Sequence, residues 1–334
     1  MRPGPANCLS DVAGLRVGHH QRTDAGHRTG TTVVLCSGAG AVAGVDVRGA
    51  APGTRETELL DPRNLVERVH AVVLTGGSAY GLAAACGVVD RLADAGIGYP
   101  VAGGVVPIVP AAVIFDLGRG GSFRATPDPS FGAAAYDVAT AGGVPGQGSV
   151  GAGTGAVAGG LAGGVGTASA VLGDGTTVAA LSVVNAAGSV LDPLDGTLAG
   201  VRYGLPGEFG HLQVPDPAEV AAWTPVRAPS FNTTIGVVAT DRTLTKAQCG
   251  KLAAVAHDGL ARAIRPAHTM TDGDTVFGLA TCAAPAPGHD AFQDMLAAAA
   301  DAFSRAVAHA VLAATGRDGA PAYLDVFPSA RRPA

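Results

Sequence analysis

Charge is scarce in this chain. Only 15% of its 334 residues are Asp, Glu, Lys or Arg, 47% are hydrophobic, and the formal net charge is −5. That balance excludes a disordered polyelectrolyte and gives no support for a nucleic-acid surface. Cysteine is sparse as well. The five cysteines, Cys8, Cys36, Cys86, Cys249 and Cys282, are odd in number and lack a metal-type pair. A disulfide scaffold is disfavoured, and a reducing, cytoplasmic compartment is expected. The histidines show no ligand spacing. His19 and His20 are adjacent, while His257, His268, His289 and His309 are dispersed, so no metal is expected. No long apolar core follows Met1-Arg2-Pro3-Gly4-Pro5, and Pro, Asp and Arg interrupt the later Ala/Gly runs. Neither a targeting signal nor a membrane span is expected.

Glycine, in contrast, is abundant. Its 50 residues are roughly twice ordinary usage. They follow no strict triplet period, which excludes collagen and leaves close backbone packing and many tight turns. The length suits one large domain or two smaller ones with a substantial core.

Strands are expected over residues 31–36, 42–46, 71–74, 106–109, 113–115, 170–172, 177–184 (ending at Asn185), 234–240 and 276–280. Helices are expected up to about Ala93, near 133–138, near 217–222, after Thr245, and over about 290–314. Thr245 and Gln248 have capping-box spacing. Residues 151–169 are almost all small, and 186–230 read as a proline-punctuated loop. The last third runs strand, helix, strand, helix, which favours an α/β fold with buried sheets flanked by helices.

Several segments carry candidate chemistry. In Phe231-Asn232-Thr233-Thr234-Ile235, Thr233 precedes an apolar run and reads first as a strand residue. A cut at Asn232–Thr233 would instead give Thr233 a free amine beside its own hydroxyl, uniting nucleophile and base in one residue. Gly151-Ala152-Gly153-Thr154-Gly155 has Ala156 in the third-glycine position of a dinucleotide loop and no strand before it. Those glycines read as turn and packing residues, with an anion pocket of backbone N–H groups as the alternative. Gly76-Gly77-Ser78-Ala79-Tyr80-Gly81 sits at a strand–helix junction like a nucleophile elbow, but Tyr80 replaces the second glycine. Ser78 fits a helix cap equally well, and Ser78 and Tyr80 are candidates for a binding wall. Asp272-Gly273-Asp274 is either an Asp-Gly turn or two carboxylates converging on Thr233. Asn185, at a strand end, is either a turn residue or an N–H donor to an oxyanion.

Taken together and in order, these segments resemble the self-processing L-aminopeptidase/D-esterase-amidase family, which includes β-peptidyl aminopeptidases and the nylon-oligomer hydrolase. The resemblance runs from Val12-Ala13-Gly14-Leu15 through Asp46-Val47-Arg48-Gly49 and Leu74-Thr75-Gly76-Gly77. It continues through Gly163-Gly164-Val165-Gly166 and His268-Thr269-Met270-Thr271-Asp272-Gly273-Asp274. It implies a four-layer αββα sandwich of the N-terminal-nucleophile type. It implies a single domain, 1–334, self-cut into fragments 1–232 and 233–334 that assemble as tetramers of cleaved pairs. Asn232 and Thr233 would flank the cut, with Thr233 as nucleophile. Asn185 would be the site asparagine, and Asp272 and Asp274 the pair contacting the nucleophile. Phe115, a candidate pocket residue, stands where the nylon-oligomer hydrolase has Tyr, and Gly160 where it has Lys. The implied activity is cofactor-free aminopeptidase or amidase action on small peptides, amides or esters through an acyl-enzyme. The alternatives are acyl transfer of the ornithine acetyltransferase type and a non-catalytic binding or structural homologue.

Overall fold

The computed structural model describes residues 1–225 and 231–333. In chain order its strands are β1 (Leu15–Arg22), β2 (Thr29–Cys36), β3 (Ala41–Val47), β4 (Thr54–Arg55), β5 (Arg68–Val69), β6 (Ala71–Thr75), β7 (Tyr99–Val101), β8 (Gly104–Val106), β9 (Ala111–Val113), β10 (Val157–Ala158), β11 (Leu161–Ala162), β12 (Gly164–Val171), β13 (Thr177–Asn185), β14 (Thr233–Arg242) and β15 (Thr275–Ala284). The helices are α1 (Ser78–Gly81), α2 (Ala84–Asp94), α3 (Pro129–Ala141), α4 (Pro217–Ala222), α5 (Lys246–Ala263), α6 (His289–Leu312) and α7 (Tyr323–Val326).

Two sheets form the centre, in the orders β1-β2-β6-β9-β4 and β12-β13-β14-β15-β3-β5. Side-chain alternation on each strand assigns the layers. On β14, Ile235, Val237 and Ala239 point between the sheets, where they share a core with Val34, Val72 and Leu74. Val238 points the other way, into a core with Leu252 and Leu260 of α5 and Phe303 of α6. On the first sheet, Val33, Leu35 and Val73 face outward against Val88 and Leu92 of α2 and Ala135 of α3. The order is helix, sheet, sheet, helix, the αββα sandwich expected.

The abundant glycine has a structural use in this packing. A Cβ on Gly166 would lie 2.0 Å from the Ala306 carbonyl, and one on Gly278 would lie 2.1 Å from that of Cys249. Only a bare backbone lets α6 and α5 sit so close to the sheet. Helix α6 is long and apolar enough to cross a membrane, but 78% of its apolar stretch is buried in this core.

The capping box holds. Thr245 accepts from the Gln248 N–H, and Gln248 Oε1 accepts from the Thr245 N–H at 2.9 Å. Other expectations need correction. Strand β1 has no clear sequence signal, because His19, His20, Gln21 and Arg22 break its apolar alternation. Residues 107–110 are not a strand; only 104–106 pair, in a surface hairpin with β7. Strand β12 begins at Gly164 rather than 170, since pairing with β13 overrides the weak strand preference of small residues. Helix α3 runs well beyond 133–138, because Pro129 and the Asp128 side chain start it early.

Three strand ends meet at one edge. β13 and β14 are antiparallel with Asn185 paired to Thr233, and β14 and β15 are parallel with Ile235 opposite Thr275. The last residue of β13, the first of β14 and the loop entering β15 therefore lie together. Strand β14 has β13 on one side and β15 on the other, and β15 in turn pairs with β3.

Candidate active site

Thr233 opens β14 and is 5% exposed. By alternation it shares a face with Ile235, so its side chain lies at the mouth of the inter-sheet core. Its hydroxyl donates to the carbonyl oxygen of Asn232. The Gly273 N–H reaches both atoms: it donates to Thr233 Oγ1 at 3.1 Å and to the Asn232 carbonyl at 3.3 Å. The Asn232 N–H donates to the Thr271 carbonyl at 3.1 Å, so the chain before Thr233 lies along the loop entering β15. Gly273 has to be glycine here. A Cβ would stand 3.0 Å from Thr233 Oγ1 and 2.7 Å from the Ala51 carbonyl.

The two carboxylates flank this contact, both 2% exposed. Asp274 Oδ1 accepts from the Thr234 N–H at 2.7 Å. Its Oδ2 accepts from the His268 N–H at 3.0 Å and lies 2.8 Å from His268 Nδ1. Asp272 Oδ2 accepts from the N–H and hydroxyl of Thr269 at 2.8 and 2.7 Å. Among the described residues, Asp272 Oδ1 is buried without a partner. In this intact chain it is therefore the backbone between the two Asp residues, rather than their carboxylates, that bonds the Thr233 hydroxyl. Behind His268, the ring of His257 meets it edge-on at 4.9 Å. Burial pushes the His257 pKa down to about 4, outweighing its hydrogen bond to the Asp46 carbonyl, so the ring is neutral at pH 7.

Asn185 is fully buried. Its Nδ2 donates to the Phe115 carbonyl at 3.2 Å, and its Oδ1 accepts from Arg119 Nη1 at 2.5 Å and from the Val157 N–H at 3.1 Å. Neither Gly273 nor Arg119 carries a signal in the sequence. Gly273 acts through its backbone, and Arg119 sits in a Gly/Pro-rich stretch that shows no periodicity.

Beside Thr233 lies a cavity of about 250 Å³, walled by residues 51–53, Ser78, Ala79, residues 113–115 and Phe231. Ser78 and Phe115 are in this wall, and the Phe115 ring lies 5.6 Å from that of Phe231. Tyr80 is not. One helical residue advances about 100°, and Tyr80 turns outward, 47% exposed, with the Arg124 guanidinium 4.1 Å from its ring centre. Ser78 is not the cap either; Gly77 is, with φ of +84°. Gly160 (φ +91°) packs against the far segment, where a Cβ would lie 2.9 Å from Pro225 Cβ. A larger cavity of about 700 Å³, between Trp223, Phe327 and His268, contains neither Thr233 nor Asn185.

Comparison with known proteins shows the family. The profile of peptidase family S58 matches residues 7–322. An uncharacterized aminopeptidase of Mycobacterium tuberculosis is 50% identical, across 97% of this chain and 99% of that one. A 6-aminohexanoate-oligomer endohydrolase of Kocuria sp. is 32% identical, across 81% of this chain and 74% of that one. Among solved structures, a β-aminopeptidase of Burkholderia sp. superposes with a TM-score of 0.72 at 25% identity, covering 99% of this chain and 96% of that one. The L-aminopeptidase D-Ala-esterase/amidase of Ochrobactrum anthropi, a variant of the Ntn-hydrolase fold, superposes with a TM-score of 0.70 at 22% identity, covering 93% and 87%, a likeness of fold alone. The chain belongs to peptidase family S58 and is a hydrolase of peptide, amide or ester bonds.

Proposed function

We propose that Thr233 first cuts the chain at Asn232–Thr233 and then serves as the nucleophile of a small-molecule amidase or aminopeptidase. The observation that supports this is the Thr233 hydroxyl resting on the Asn232 carbonyl while one N–H, that of Gly273, reaches both. Holding nucleophile and carbonyl together supplies the effective concentration an internal attack needs.

In processing, Thr233 Oγ1 attacks the Asn232 carbonyl carbon. The hydroxyl proton passes to the Thr233 nitrogen as the C–N bond breaks, leaving an ester. Water hydrolyses the ester, giving the Asn232 carboxylate and a free Thr233 amine. The Gly273 N–H stabilises the developing oxyanion.

In the mature enzyme the Thr233 amine takes the hydroxyl proton as the oxygen attacks substrate. Its reference pKa of about 7.7–8.0 suits that task. The Asn185 amide and the Gly273 N–H receive the oxyanion. The ammonium then protonates the leaving group, and water releases the acyl group. Asp272 Oδ1, buried without a partner among the described residues, accepts the new ammonium in this reading. Asp274 anchors the next residue through the Thr234 N–H.

The cavity is small and mostly apolar, and among the described residues no carboxylate lines it. This favours short acyl groups without a charged amine at that wall. Assembly of cleaved pairs into a tetramer belongs to the same reading, supported by the exposed apolar Tyr99, Val101 and Val106 of the β7–β8 hairpin.

The test is intact mass under denaturing conditions for the native chain and Thr233→Ala. Two fragments from the first and one from the second support the proposal; a single chain from both overturns it. Turnover of acyl amides and esters, with and without an added amine acceptor, then separates hydrolysis from acyl transfer. No turnover by a cut chain points to a binding role.

A further inference from the structure

We propose that Arg119 is a positioning residue that fixes and polarises the Asn185 amide for the oxyanion. This rests on the reading of Thr233 and Asn185 given above.

An asparagine side chain can be placed either way round, and only its neighbours decide which end is oxygen. Here they decide it. Arg119 and the Val157 N–H are donors with nothing to accept, and both point at the same Asn185 atom, at 2.5 and 3.1 Å. That atom must be oxygen. The NH₂ end is then forced to the opposite side, where one hydrogen meets the Phe115 carbonyl at 3.2 Å. The second hydrogen remains for the site. Thr233 is the direct cross-strand partner of Asn185, so the two side chains share one face.

Arg119 does more than choose the orientation. A guanidinium bonded to an amide oxygen draws charge from the NH₂ end and makes it a stronger donor, and burial magnifies the effect. Arg119 is itself held firmly. Its Nη1 also donates to the Gly155 carbonyl at 2.7 Å, and Arg317 donates to the same carbonyl at 2.9 Å and to that of Ala156 at 2.8 Å. Asp116, 3% exposed and with its pKa raised chiefly by burial, lies nearby and is anchored by the Gly77 N–H at 2.6 Å. Arg119 is thus held by the Gly155 backbone carbonyl as well as by Asn185. The Asn185 amide has no other cation bonded to it among the described residues.

A residue acting through another leaves a distinctive trace. Arg119→Met is expected to lower kcat about 10- to 100-fold with KM nearly unchanged, less than the loss on removing an oxyanion donor outright. Arg119→Lys, which keeps charge and donor, should recover most of the loss, and Arg119→Gln, which keeps only a donor, little. Combined with Asn185→Ala, Arg119→Met should cost almost nothing further. The rate of self-cutting, followed by intact mass, gives the same comparison on the precursor, including for variants that cut too slowly to yield mature enzyme. Melting temperatures separate these effects from loss of fold.

Additive losses in the double variant, or a loss confined to KM or melting temperature, would overturn the proposal. A native chain that cuts itself but is indifferent to Asn185→Ala would overturn this inference and leave Thr233 in place. A native chain that never cuts itself would overturn both.

Discussion

Two buried polar clusters sit in this fold, and they differ in how completely they are bonded. Around Arg305, 1% exposed, every group has a partner. Arg305 grips Glu208 with two bonds of 2.6 and 2.9 Å and donates to the Ser169 carbonyl and the Asn7 side chain. Glu208 also receives Asn7 and His309, each at 2.8 Å. Around Thr233, in contrast, Asp272 Oδ1, Thr234 Oγ1 and His268 Nε2 are all buried without partners among the described residues. Burying a polar atom unsatisfied is costly, and natural folds tolerate it mainly where the atom has another use. The first cluster holds α6 to the start of the chain; the second leaves buried polar atoms open beside Thr233.

That contrast can be broken from either side. The largest effect is expected at the saturated cluster. Arg305→Met should cost about 3–5 kcal/mol of stability, because it strands a buried carboxylate, while kcat of the folded fraction stays unchanged. Denaturant unfolding with parallel kinetics checks this.

At the open cluster the costs should fall on chemistry. Gly273→Ala should slow self-cutting about 100-fold, roughly 2.7 kcal/mol of barrier, because its Cβ crowds Thr233 Oγ1. Mass spectrometry over time would measure it, and an unchanged rate would show that the contact of Gly273 with Thr233 Oγ1 is not needed in its present geometry. Asp272→Asn should cut normally but lose about 10-fold in kcat, with little change in melting temperature, since its charge is needed only once the amine exists. Equal loss in cutting and turnover would instead assign Asp272 to the fold.

The smallest effect is a pH window. Burial raises the Glu208 pKa, but the bonds from His309 and Arg305 outweigh it and hold the group at about 2, against an ordinary 4.5. A depressed carboxylate contributes its stability fully above the ordinary value and loses it as pH falls toward the folded one. Stability should therefore decline between about pH 4.5 and 2, and Glu208→Gln should flatten the decline in that interval.

The sequence revealed what depends on local pattern. The Thr245 capping box, the β14 run and the strand ending at Asn185 each follow from spacing within a few residues. β12 escaped because Gly164-Val165-Gly166-Thr167 has almost no strand preference of its own; β13 and α6 make it a strand. At the site, Asp272 and Asp274 stood out because carboxylates are conspicuous. Gly273 did not, because a backbone N–H leaves no mark in a sequence. Arg119 reaches Asn185 across 66 residues, a contact that only the folded chain creates.

One feature of the sheet bears on how such a protein comes apart. β14 has β13 of the first fragment on one flank, and β15 has β3 of that fragment on the other. A cut before Thr233 removes no ladder bond, so the folded state barely changes, but the unfolded state becomes two molecules. Folding then becomes association, refolding second-order and the melting temperature dependent on concentration. A protein that assembled once as a single chain would, after its first reaction, persist through slow unfolding rather than through ready return.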